Sequence, residues 1–125
     1  NNGISLRSNL DCNLDHMIDE IRVLARMFNI SIDVSARYPG WKYKANSDMR
    51  DKLNKIIMAE YDKPLVEIAK HSGLECGVFA SIDDDMDVIT YGPIMEGIHT
   101  PNERLGLESF SRAYKVLTKL IAECK

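Results

Sequence analysis

Apolar and polar residues alternate over Ile4-Ser5-Leu6-Arg7-Ser8, which predicts a strand with Ser5 and Arg7 on one face. The period then changes. Leu14, Met17, Ile18, Ile21, Leu24, Ala25 and Phe28 recur at helical spacing and form one apolar stripe, with Asn13 placed to cap its start. Ile30, Ile32 and Val34 alternate with Ser31, Asp33 and Ser35, so a second strand is expected and the first unit reads β-α-β, ending near Ala36.

RYPGWKYKAN, residues 37–46, has no apolar period and carries the Pro39-Gly40 turn signal; it reads as the crossing between two lobes. From Ser47 to about Tyr61 a second helix buries Met49, Leu53, Ile56 and Ile57. Leu65–Lys70 is β-like, Leu74–Ala80 short and helical, and Asp87–Tyr91 a strand. Leu107, Phe110, Tyr114, Leu117, Leu120 and Ile121 mark a final amphipathic helix. Strands alternating with helices give an α/β (α+β) fold class.

Composition narrows this. The 125 residues suffice for a real core, and 45% apolar with 28% charged residues is ordinary for a globular protein. A net charge of −3 and a pI near 5.6 argue against nucleic acid or an anionic membrane as partner. No apolar run approaches the ~20 residues of a membrane span. The polar opening NNGISLRSN lacks a signal-peptide pattern and an initiator Met, as in an excised fragment. Cys12, Cys76 and Cys124 are scattered without a CxxC pair, so reduced thiols in a cytoplasm are expected.

Three histidines are candidates for chemistry. His16 lies on the polar side of the first helix, where exposure explains it. His71 precedes Ser72-Gly73 and either lines a site or sits at the surface. His99 is the strongest: Gly97 permits a tight turn before it, and Pro101 restricts Thr100 to extended geometry after it. Thr100-Pro101-Asn102-Glu103 also has the capping-box pattern, so Glu103 needs no function to explain it. A catalytic zinc takes about three protein ligands. The sequence has no HExxH, HxD or other close histidine–carboxylate cluster, and neither a G-x-S-x-G nor a P-loop. Asp83-Asp84-Asp85 reads as a solvated loop, Cys76 as a small apolar residue, and Tyr38 and Trp41 as packing at the lobe junction.

HSGLECGVF (71–79), the YGP after DVIT, and GIHTPNERL (97–105), in this order, resemble the C-terminal end of the aminoacyl-histidine dipeptidases. These are X-His dipeptidases, bacterial and carnosinase-like, within the two-zinc aminoacylase/carboxypeptidase metallopeptidase family. The resemblance covers essentially the whole chain and about the last quarter of a family member. It implies that 1–37 is the second half of a lid or dimerisation domain and 38–125 the C-terminal part of the catalytic domain. It further implies that His99 is the last zinc ligand. Arg7 would hold the substrate's C-terminal carboxylate, and Gly73 with Glu75 would line the substrate pocket. The intact enzyme would use two zinc ions, take a dipeptide ending in histidine, and possess a lid able to dimerise. The other metal ligands and the general base would lie in a preceding segment, leaving the isolated chain inactive. For Arg7 a cross-strand ion pair with Asp33 is the alternative. For the whole chain the alternative is a non-catalytic α+β binding or dimerisation module.

Overall fold

The computed structural model describes residues 3–68 and 75–124. Among the described residues, four helices and one small sheet make up the regular structure: α1 (Asp11–Met27), α2 (Asp48–Tyr61), α3 (Glu75–Ile82), β1 (Met95–Glu96), β2 (Arg104–Leu105) and α4 (Leu107–Glu123). Helix and sheet together give the mixed class expected. The chain divides into two compact units, Asn1–Ala45 with Ala69–Val88, and Asn46–Ile68 with Ile89–Lys125.

In the first unit α1 starts earlier than its expected cap. Leu10 is the N-cap residue and Asp11 the first helical one, so Asn13 lies inside the first turn. Asp11 suits that place because a carboxylate is favourable near the positive end of a helix. Ile18 is buried and Leu14, Met17, Ile21 and Ala25 are half-buried, while Leu24 and Phe28 of the same stripe remain exposed. The helix stops where Asn29 turns left-handed, at φ 53°. Its N–H donates to Arg26 O at 3.2 Å and Ile30 N–H donates to Ala25 O at 2.9 Å, a Schellman ending.

The strands expected at 4–8 and 30–35 do not form. A strand is stable when a ladder partner satisfies its backbone and a packed face covers its side chains. Neither is supplied here: Ile4 is 71% exposed, Ile30 61% and Val34 41%. The 37–44 loop is tied down instead. Arg37 reaches Asp15 at 2.6 Å and Asp11 at 3.9 Å, and Gly40 N–H donates to Asp11 Oδ1 at 3.1 Å. Lys44 Nζ donates to Asp85 O at 2.8 Å. A Cβ on Gly77 of α3 would come within 2.7 Å of Pro39 O, so only glycine allows the helix this close to the loop.

The hydrogen bond from Arg37 holds the Asp15 carboxyl below the usual carboxylate range. A lowered folded-state pKa means that the contact stabilises the protein above the ordinary Asp value, and that this is lost as pH falls through the folded value. NMR titration of Asp15 is expected to give a midpoint below that of a free Asp, and Arg37→Ala to move it up. An unchanged midpoint in Arg37→Ala would refute the assignment.

The second unit is built on α2 and α4. Ser47 caps α2, accepting from Arg50 N–H at 3.1 Å, and Asp62, at φ 51°, ends it. Leu53, Ile56, Val116 and Leu120 form the core between the two helices, flanked by Met49, Ile57, Tyr61, Leu65 and Ile89. Glu60 of α2 pairs with both Lys115 and Lys119, one turn apart on α4. The β-like stretch after α2 is not a strand over its described part, 65–68. It turns back along α2, with Leu65 N–H on Asn54 Oδ1 at 2.8 Å and Glu67 on Arg50 at 3.3 Å. Residues 87–91 form no strand either; the sheet is a two-residue antiparallel ladder further on, pairing Met95 with Leu105 and Glu96 with Arg104.

Candidate functional site: the His99 loop

The β1–β2 hairpin presents residues 97–103. Gly97 (φ 61°) and His99 (φ 65°) both take left-handed backbone, open to glycine and uncommon for other residues, although histidine is among those that adopt it more often. The loop is closed by its own polar groups. Thr100 N–H and Thr100 Oγ1 donate to Gly97 O at 3.0 and 2.7 Å. Thr100 Oγ1 accepts from Asn102 N–H at 3.2 Å, and Glu103 N–H donates to Thr100 O at 3.1 Å. Glu103 Oε2 accepts from His99 N–H at 3.0 Å.

The capping-box residues thus do their local work, with one shift: the glutamate reaches the amide of His99, one residue before the cap, and Thr100–Glu103 makes a turn and not a helix. Backbone bonds on both sides hold His99 in a strained conformation with its side chain exposed. Such backbone raises the question of function without answering it, since Asn29, Ala36 and Asp62 take left-handed φ as well.

Behind the hairpin, Ser109 ties the loop to α4. Its hydroxyl donates to Gly106 O at 2.6 Å and accepts from Ile94 N–H at 2.9 Å. Ser109 is 7% exposed, and the periodicity of the sequence does not single it out. Its one signal is a serine three residues after the glycine that caps the helix. Tyr91 belongs to the same unit; burial and the neighbouring Tyr61 push its hydroxyl pKa up, against Arg112.

The other candidates fall as follows. Arg7 is exposed in the first unit, in a segment without strand structure, and among the described residues it makes no ion pair with Asp33. Glu75 is the exposed first residue of α3. Gly73 and His71 lie outside the described residues. His16 is exposed and sits 3.3 Å from Glu20, one turn on. Asp83–Asp85 form an exposed turn, with Asp85 N–H on Asp83 Oδ1 at 2.9 Å. Trp41 is half-buried and Tyr38 exposed. A shallow groove lined by Arg22, Ala25, Arg26, Ile30 and Ile32 holds no nucleophile or acid.

The donor set can be weighed against zinc. Among the described residues no three of His, Cys, Asp or Glu gather into a metal cage. In the His99 loop the one carboxylate, Glu103, already accepts a backbone bond. One imidazole does not make a catalytic zinc site, which takes three protein ligands. The described residues therefore do not hold the metal by themselves.

The described residues thus offer one exposed histidine on a hairpin of an α+β frame. Comparison with known proteins finds similarity to dipeptidases. The chain is 30% identical over 119 residues to the cytosol non-specific dipeptidase of Escherichia coli (strain K12), a match covering 94% of this chain and 24% of the relative. Its fold matches the crystal structure of aminoacylhistidine dipeptidase from Vibrio alginolyticus with a TM-score of 0.76 and 24% identity, over 93% of this chain and 24% of that one. No family model matches the chain. The chain is thus homologous to a dipeptidase and shares the fold of another, and it spans about a quarter of the length of each. No helix among the described residues is long and apolar enough to cross a membrane.

Proposed function

We propose that this chain is the C-terminal portion of a cytoplasmic, zinc-dependent dipeptidase that hydrolyses Xaa-His dipeptides. The observation that carries this reading is the His99 loop: a strained, exposed histidine, clamped by Thr100 and Glu103, in a chain homologous to a dipeptidase over 94% of its length. In this reading His99 supplies one ligand to a two-zinc centre whose remaining ligands come from the rest of the enzyme. Arg7 binds the substrate's terminal carboxylate, for which a guanidinium is suited by its paired donors. Gly73 and Glu75 line the pocket around the peptide, and residues 1–37 belong to a lid through which the enzyme dimerises. The isolated chain is inactive, because it brings too few groups to hold the metal.

The test is a chimera in which this chain replaces the matching stretch of the Escherichia coli relative. The chimera is expected to hydrolyse a β-alanyl- or glycyl-histidine substrate in a chelator-sensitive way, and the isolated chain to show no hydrolysis even with zinc added. A folded chimera without activity would favour a non-catalytic module, and chelator-sensitive hydrolysis by the isolated chain would overturn the part assigned to the missing residues.

A further inference from the structure

The loop that carries His99 is two consecutive turns, and one side chain selects the form of the first. Thr100 N–H donates to Gly97 O at 3.0 Å, closing the turn Gly97-Ile98-His99-Thr100. Of its two central residues only His99 has a positive φ, 65°, which is the type II pattern. Glycine or asparagine is favoured at that place, whereas the commoner type I form accepts most residues, histidine included. The two forms differ by a rotation of roughly half a turn of the peptide between the central residues, so His99 N–H faces opposite sides of the loop in them. Here it donates to Glu103 Oε2 at 3.0 Å, a bond that the rotation would break.

Glu103 is placed for this. Its own N–H donates to Thr100 O at 3.1 Å, closing the second turn, where Pro101 stands at the position that suits its fixed φ. Helix capping does not account for the contact: a capping-box glutamate bonds the amide of the cap residue itself, and that of Thr100 is taken by Gly97 O. Nor does an ion pair compete for it. Arg104 pairs with Glu96 across the ladder at 3.3 Å, and among the described residues Glu103 has no cationic partner. The carboxylate is committed to one backbone amide, in a charge-assisted bond stronger than a neutral one.

We propose that Glu103 is a positioning residue for His99: its carboxylate selects the type II turn and so sets the direction in which the imidazole is presented. Its consequence for hydrolysis rests on the reading of His99 as a working residue of the dipeptidase.

Two measurements test it. In the isolated chain, NMR distinguishes the turns: a strong contact between Ile98 Hα and the His99 amide proton marks type II, and a strong contact between the two amide protons marks type I. The native chain and Glu103→Gln, which keeps a carbonyl acceptor, are expected to show the first. Glu103→Ala and the shorter Glu103→Asp are expected to show the second, with unfolding midpoints unchanged. In the chimera described above, Glu103→Ala should lower kcat by about tenfold or more with KM within twofold, as for loss of a group that orients a ligand, and Glu103→Gln should restore most of it. A type II signature retained in both Glu103→Ala and Glu103→Asp overturns the proposal. So does a turn that switches in an active chimera whose kcat stays the same. A chimera inactive with Glu103 in place sinks the proposed activity instead, and the turn signature then decides the role of Glu103 by itself.

Discussion

Leu53→Ala is expected to lower the stability of the α2–α4 unit by about 3 kcal/mol, within the roughly 2–5 kcal/mol typical of such truncations. Leu53 is 2% exposed and sits in the cluster with Ile56, Val116 and Leu120, so its loss leaves a cavity between two helices that cannot easily close. Small domains have only about 5–15 kcal/mol in total, so part of the population should unfold on mild heating. Leu117→Ala is the control. Leu117 is 47% exposed and outside the cluster. Its truncation in the isolated chain should stay within about 0.5 kcal/mol. Urea unfolding followed by circular dichroism distinguishes the two. Equal midpoints for both variants would mean that the core does not lie where the α2–α4 packing puts it.

The second large effect separates His99 from Arg7 in an active enzyme carrying this chain. His99→Ala should lower metal content and turnover together. Losing even an outer partner of a metal ligand costs about 10–100-fold, so losing the ligand should exceed the upper figure. Arg7→Ala should leave the metal in place and weaken substrate binding by on the order of 2–4 kcal/mol, the range for truncating one member of a desolvated charge pair. Part of that loss will appear in turnover, because the carboxylate contact also orients the peptide. Metal stoichiometry with KM and kcat on both variants settles it. Full metal occupancy in His99→Ala removes the ligand role, and normal kinetics in Arg7→Ala remove the carboxylate role.

The helices are legible in the sequence because their signals are local. Leu53, Ile56 and Ile57 repeat at helical spacing, Ser47 is a strong cap, and α2 begins where that cap places it. In α1 the cap signal misleads: Asp11 begins the helix, and the asparagine that looks like a cap is inside it. The end of α1 is also written locally, in Asn29, which tolerates left-handed backbone.

The strands are absent for the opposite reason. Ile30, Ile32 and Val34 alternate as a strand should, but alternation states only which side chains want cover, not whether a neighbour exists to pair with the backbone. At 65–68 Asn54 and Arg50 capture the chain where a ladder would otherwise run.

The candidate site divides in the same way. That His99 sits in a tight, self-capped turn follows from Gly97, Thr100, Pro101 and Glu103, all close to it along the chain. That Glu103 clamps the His99 amide, that Ser109 fastens the loop to α4, and that Arg37 gathers Asp11 and Asp15 depends on contacts across turns or over long stretches of chain. By itself the sequence determined the helices, the turn at His99 and the resemblance to a dipeptidase, because propensity, capping and motif are properties of neighbours along the chain. Only the tertiary structure decided which apolar stripe of α4 meets α2, where the short sheet forms and which side chains clamp the loop. Those outcomes depend on which surfaces of distant segments can exclude water together.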